Sequence, residues 1–147
     1  MEVMRVGKND LDVIKYIITN LIDDSNRKGE LPATSYLEKL LTDDRTYLLA
    51  AMTDGIVVGF TLAYRFPSLY AAEFLAYLYD IEVLPFYRRK GIGRLLVKTL
   101  IEHLQPDGVR ELWLGTAVDN AEGQGLFSST GAVKSDETFN DYTYYFT

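Results

Sequence analysis

The sequence predicts an α/β domain, and three observations carry that prediction. Apolar residues recur at helical spacing in four stretches and as strand-like runs between them, in the order β-α-α-β-β-β-α-β-α-β-β. Residues 79–96 read as a strand running through a short basic turn, Arg88-x-x-Gly91-x-Gly93, into a helix. The chain has 147 residues, 48% apolar and 24% charged, which suits one globular domain with a real core.

Each element follows from its residues. Met4-Arg5-Val6 starts a short strand. Asn9 or Asp10 then caps a helix with Leu11, Ile14, Ile18, Leu21 and Ile22 on one face. Residues 23–32 form a polar, charged connection. Ser35-x-x-Glu38 reads as a capping box ahead of a second helix carrying Leu37, Leu40 and Leu41. Residues 47–52 and 56–66 make a hairpin around Thr53-Asp54-Gly55, and Gly59 marks a bulge. After a loop at 67–71, residues 72–83 form the strand that feeds the glycine turn. The helix at 92–104 aligns Ile92, Leu95, Leu96, Leu100 and Leu104. Residues 110–117 form the next strand, parallel to its predecessor through an ordinary crossover. A short helix at 120–129 stops at Gly131, and residues 138–146 read as a closing hairpin around Asn140-Asp141.

The glycine turn carries the chemistry. Gly91 and Gly93 remove side chains where the backbone turns tightly and where a ligand must approach. The amides from about Arg89 to Arg94 then point outward at the positive end of the following helix, a seat for a pyrophosphate. No Gly-Lys-Ser/Thr occurs, which excludes a Walker loop, and Leu96 stands where a dinucleotide fingerprint needs a small residue. Residues 84–110 hold six Lys/Arg against two acids, whereas residues 111–147 hold six acids against Lys134. This division suits an anionic cofactor and a cationic co-substrate. The net charge of −6 and a pI near 4.7 argue against nucleic acid as a partner.

Cysteine is absent and His103 is the single histidine, so thiolate zinc sites, histidine metal clusters and Cys-based acyl-enzymes are excluded and no metal is expected. No apolar run approaches the roughly 20 residues of a membrane span, and no signal-peptide core is visible. A cytoplasmic protein without a membrane partner is the expectation. Asp80 and Glu82 alternate onto one strand face, with Tyr77, Tyr79, Ile81 and Val83 on the other unless a bulge intervenes.

Arg/Gln-x-x-Gly-x-Gly/Ala after an apolar strand resembles the pyrophosphate loop of the GNAT superfamily of N-acetyltransferases. The segment Asn120-x-x-Gly123-x-x-Leu126-Phe127-x-x-x-Gly131-Ala132 is similar to the family's later motif, and the element order matches over the whole chain. The resemblance implies the GNAT acyltransferase fold, a mixed, mostly antiparallel twisted sheet flanked by about four helices. Within the superfamily, Val57-Val58-Gly59, the block from Tyr77 to Val83 and Arg88-Arg89-Lys90-Gly91-Ile92 resemble the type I aminoglycoside 3-N-acetyltransferases. That implies direct transfer of acetyl from acetyl-CoA, the co-substrate, to the 3-amino group of an aminoglycoside, an antibiotic-resistance activity.

The resemblance also distributes roles. Asp80 becomes the carboxylate for the acceptor amine, with Tyr79 and Glu82 beside it. The backbone near Ile81 and Val83 would bind the pantetheine arm, and the Val83 amide would polarise the thioester carbonyl. The turn of Arg88, Arg89, Lys90, Gly91, Ile92, Gly93 and Arg94 would hold the phosphates. Asn120 would contact the pantetheine or simply cap its helix. Phe127 departs from the family, where a tyrosine often protonates the leaving thiolate, and Gly123 replaces the usual alanine. Phe127 keeps a non-catalytic acyl-CoA-binding module as an alternative. Another polyamine or a protein amine is the alternative acceptor. Tyr142, Tyr144 and Tyr145 fit strand packing or the seam of a homodimer, or else an aromatic wall of an acceptor pocket.

Overall fold

A computed structural model describes residues 1–23 and 29–146. Its elements run β1 (Glu2–Arg5), α1 (Leu11–Asn20), α2 (Thr34–Thr42), β2 (Thr46–Thr53), β3 (Ile56–Pro67), β4 (Phe74–Val83), α3 (Ile92–Leu104), β5 (Val109–Trp113) and α4 (Ala121–Ser129). Five strands form one sheet in sequence order. The first three pairings are antiparallel and β4–β5 is parallel. The fold is the expected α/β arrangement of a mixed, mostly antiparallel sheet with four helices. The chain divides into two compact units, Met1–Gly115 and Thr116–Thr147.

In the first unit helices pack against both faces of the sheet. One face packs Leu48, Ala50 and Phe60 against Ile14, Ile17 and Leu21 of the α1 segment and Leu37 of α2. On the other lies α3, burying Ile92, Leu96, Val97, Leu100 and Leu104. β2 sits between these layers, so residues 47–51 are all buried and read as a continuous apolar run. The β2–β3 hairpin closes on Asp54 (φ 50°) and Gly55 (φ 76°), two left-handed residues that match the twist of the strands.

Both bulges lie where they affect the site. In β3 the register shifts at Val58, next to Gly59. A Cβ on Gly59 would meet the Glu82 carbonyl oxygen at 3.0 Å, a Val83 methyl at 3.3 Å and an Ile92 methyl at 3.4 Å. Glycine therefore lets β3, the end of β4 and the start of α3 converge. In β4 the register passes from Leu62↔Asp80 to Ala63↔Leu78, leaving Tyr79 as the extra residue. Buried Thr61 donates its hydroxyl to the Asp80 carbonyl at 2.9 Å beside that bulge.

Three local expectations differ. α2 begins at Thr34 with Ala33 as its cap and no side-chain capping bond, so Ser35 lies inside the helix and the capping box does not form. Asp10 caps α1 without bonding into it; its carboxylate accepts from the Gly7 amide at 2.8 Å instead. Residues 132–146 contain no strand, so the closing hairpin is absent. Its aromatic side chains, including Tyr142 and Tyr144, stay exposed, and a two-stranded hairpin that buries no face lacks independent stability. Part of the connection expected at 23–32 lies outside the described residues.

Candidate active site

The turn after β4 is built to leave its amides free. Residues Pro85–Tyr87 make one 3₁₀ turn after β4. Arg89 (φ 61°) and Gly91 (φ 82°) then adopt left-handed conformations, and α3 starts at Ile92. Arg88 N donates to Pro85 O and Leu95 N to Gly91 O, but among the described residues the six amides from 89 to 94 find no acceptor. These amides and the α3 dipole concentrate positive potential on one spot. A Cβ on Gly91 would meet nothing within 4 Å, so the space beside the turn is open.

The basic side chains around the turn differ in use. Arg88 folds back, its Nε donating to the Val83 carbonyl at 2.8 Å and its guanidinium lying 3.9 Å from Glu82. Lys90 hangs over the rings of Phe86 and Tyr87, 5.0 and 5.6 Å from their centroids. Arg89 and Arg94 are exposed. Ile92 is buried, so only its amide can face a ligand.

The strand β4 has a free stretch. Its parallel pairing with β5 runs from Phe74↔Val109 to Tyr77↔Trp113 and then stops. Beyond Tyr77, among the described residues, no strand pairs with β4 on that side, so this edge can receive an extended ligand, although Arg88 already holds the Val83 carbonyl.

The bulge at Tyr79 settles which side chains share a face. Asp80 lies opposite Leu62 and Glu82 opposite Phe60, on the α1/α2 face. Tyr77 lies opposite Tyr64, two residues on from Leu62, and so on that same face, whereas Ile81 and Val83 turn to the α3 side. The expected separation of Tyr77 from the two acids is therefore reversed.

Burial pushes the Asp80 carboxyl up, only partly opposed by the Ile81 amide. Glu82 is also raised, first by burial and then by repulsion from Asp80, against the pull of Arg88. A cavity of about 390 Å³ opens between the end of α1 and the end of β4. Glu82, Val83 and Arg88 line it opposite Thr19 to Asp23, while Asp80 does not. The family resemblance pointed to Asp80 first; the cavity brings Glu82 forward.

The second unit places Asn120 as the N-cap of α4, its Oδ1 accepting from Gly123 N at 3.1 Å and its Nδ2 donating to Thr116 Oγ1 at 2.9 Å. A Cβ on Gly123 would lie 2.4 Å from Asn120 Nδ2. The departure from alanine at 123 thus gives room to the carboxamide. Phe127 lies within α4, where its carbonyl accepts from Ala132 N at 3.0 Å.

Residues 16–132 match the model of the Acetyltransferase (GNAT) family. The chain belongs to this family. Enzymes of this family use acetyl-CoA as the acyl donor. The [Ribosomal protein bS18]-alanine N-acetyltransferase of Escherichia coli K12 is 43% identical over 56 residues, a match spanning 38% of each chain. In structure, an aminoglycoside acetyltransferase from an uncultured soil metagenomic sample, in complex with sisomicin, superposes with a TM-score of 0.88 at 23% identity. The superposition covers 98% of this chain and 95% of that one. The aminoglycoside N-acetyltransferase AAC(6')-Iy, in complex with CoA, gives 0.74 at 18% identity, covering 97% and 99%. At these identities the structural likeness establishes the GNAT fold. No helix among the described residues is long and apolar enough to cross a membrane.

Proposed function

We propose that the chain transfers acetyl from acetyl-CoA directly to an amine of a cationic small molecule, an aminoglycoside acetylated at its 3-amino group. The run of unbonded amides from 89 to 94 carries the acetyl-CoA assignment. Unbonded amides at a helix N-terminus suit a pyrophosphate. The unpaired edge of β4 up to Val83 would receive the pantetheine, and Val83 N is the donor for the thioester carbonyl. Acetyl-CoA supplies the activated acyl group.

The chain's own part is to present the amine. An ammonium is not a nucleophile, so its proton must leave, and a carboxylate at hand lowers that barrier. Asp80, half-buried on the α1/α2 face, orients the amine and accepts the proton directly or through water. Glu82, paired with Arg88 and lining the cavity, holds a second ammonium of a polycation. A cysteine-free chain of this kind suits a reducing cytoplasm.

A second reading has a specific support, the 43% identity over 56 residues to an enzyme named for a protein's alanine amine. One experiment separates the two. The purified protein is given acetyl-CoA with sisomicin, spermidine or a peptide with N-terminal alanine, and thiol release and product mass are followed. Acetylation of sisomicin at the 3-amino group supports the proposal. Acetylation of the peptide alone replaces it with the second reading. Acetyl-CoA binding without acetylation of any amine makes the chain a non-catalytic acyl-CoA module.

A further inference from the structure

Five aromatic side chains from three strands form one continuous surface on the first unit. Tyr64 and Phe66 stand on β3, Tyr77 and Tyr79 on β4, and Trp113 on β5. Tyr77 lies opposite both Tyr64 and Trp113, so these rings occupy the same face as Asp80 and Glu82. Ring centroids are 5.4 Å apart for Phe66–Trp113 and for Tyr77–Trp113. Tyr79 stands nearly perpendicular to Tyr64 and to Tyr77, at 6.0 and 6.4 Å, and the three rings form a corner.

Core packing does not account for this surface. Tyr79 is 65% exposed and Trp113 42% exposed. A contiguous aromatic patch left in water marks a recognition site. Its neighbours say what is recognised. Two carboxylates on the same face favour a cation, and π-faces attract ammonium groups and the C–H faces of saturated rings. The bulge at Tyr79 interrupts the β3–β4 ladder and in doing so brings the acids to the aromatic side.

Building on the reading of the chain as an amine acetyltransferase, we propose that this corner is the specificity wall for the acceptor, and that it selects a saturated cationic ring such as an aminocyclitol or amino sugar. The ring lies against Tyr77 and Trp113 with an ammonium in the corner of Tyr64 and Tyr79, and a further amine reaches Asp80. A linear polyamine or an extended peptide has no rigid face to lay on Trp113.

Trp113 is the sole tryptophan, so its fluorescence reports on this wall without any turnover. Sisomicin, spermidine and an N-terminal alanine peptide are titrated in the absence of acetyl-CoA. Sisomicin alone should change Trp113 emission saturably. Tyr79→Ala should raise its Kd on the order of tenfold, Tyr79→Phe should restore it, and acetyl-CoA affinity should stay put in both. Equal responses to spermidine or the peptide would overturn the ring selection. Unchanged sisomicin affinity in a folded Tyr79→Ala that still acetylates it would overturn the wall while leaving the acetyltransferase reading intact. If no amine is acetylated, that reading fails, and the titration still decides whether the wall binds the ring.

Discussion

Replacing Gly91 by valine should separate binding from folding at the glycine turn. Gly91 has φ 82°, a conformation that disfavours any L side chain, while the space a Cβ would enter is empty. The stability loss is therefore backbone strain, about 1–2 kcal/mol, and more for a β-branched residue than for alanine. At about 2–4 °C per kcal/mol for a domain of this size, melting should drop by roughly 2–8 °C, and the protein stays folded.

Binding should suffer far more. The empty space lies beside a turn whose amides have no acceptor among the described residues, and an isopropyl group there would crowd an anion bound to them. Each hydrogen bond to a charged group contributes about 1.5–3 kcal/mol. Losing two raises the Kd for CoA on the order of 10²–10⁴-fold, at tenfold per about 1.4 kcal/mol. Calorimetric titration of wild type, Gly91→Ala and Gly91→Val, beside thermal melts, measures both effects. Alanine shares the strain with less bulk and should fall between. A folded Gly91→Val that binds CoA with wild-type affinity would refute the assignment of this turn to the pyrophosphate.

Four further outcomes are expected. Asp80→Asn should lower kcat on the order of 10²–10⁴-fold with acetyl-CoA affinity kept; near-normal turnover would move the role to Glu82. Because burial raises the Asp80 carboxyl, its penalty on the fold is absent below the unfolded pKa and complete above the folded one. Asp80→Asn should accordingly gain melting temperature over wild type at neutral pH but not in acid, which a pH series of melts will show. Gly59→Ala puts a Cβ 3.0 Å from the Glu82 carbonyl oxygen, and urea unfolding should register an overpacking loss of about 1–3 kcal/mol; wild-type stability would disprove the close approach. Gly123→Ala evicts the Asn120 carboxamide, so a cap loss of about 1 kcal/mol offsets a helix gain of about 1 kcal/mol. Its urea midpoint should hardly move, whereas a full helix gain would show that the carboxamide is not needed there.

Much of the local chemistry was legible in the sequence, the Ser35-x-x-Glu38 capping box being an exception. The helix Ile92–Leu104 follows from apolar spacing after a glycine pair, and its bounds match the expectation. The Asp54-Gly55 turn and the Asn120 cap are likewise choices of a few adjacent residues. Pairing is different, because a ladder depends on a partner strand that local spacing does not contain. Tyr79 became the extra residue in β4 only through the register against β3, and that slip moved Tyr77 onto the face of Asp80 and Glu82. The end of the β4–β5 pairing at Trp113, the cavity that admits Glu82 and the missing tail hairpin were decided in the same way. Alternation along a strand states which residues share a face only until the partner strand changes the count by one.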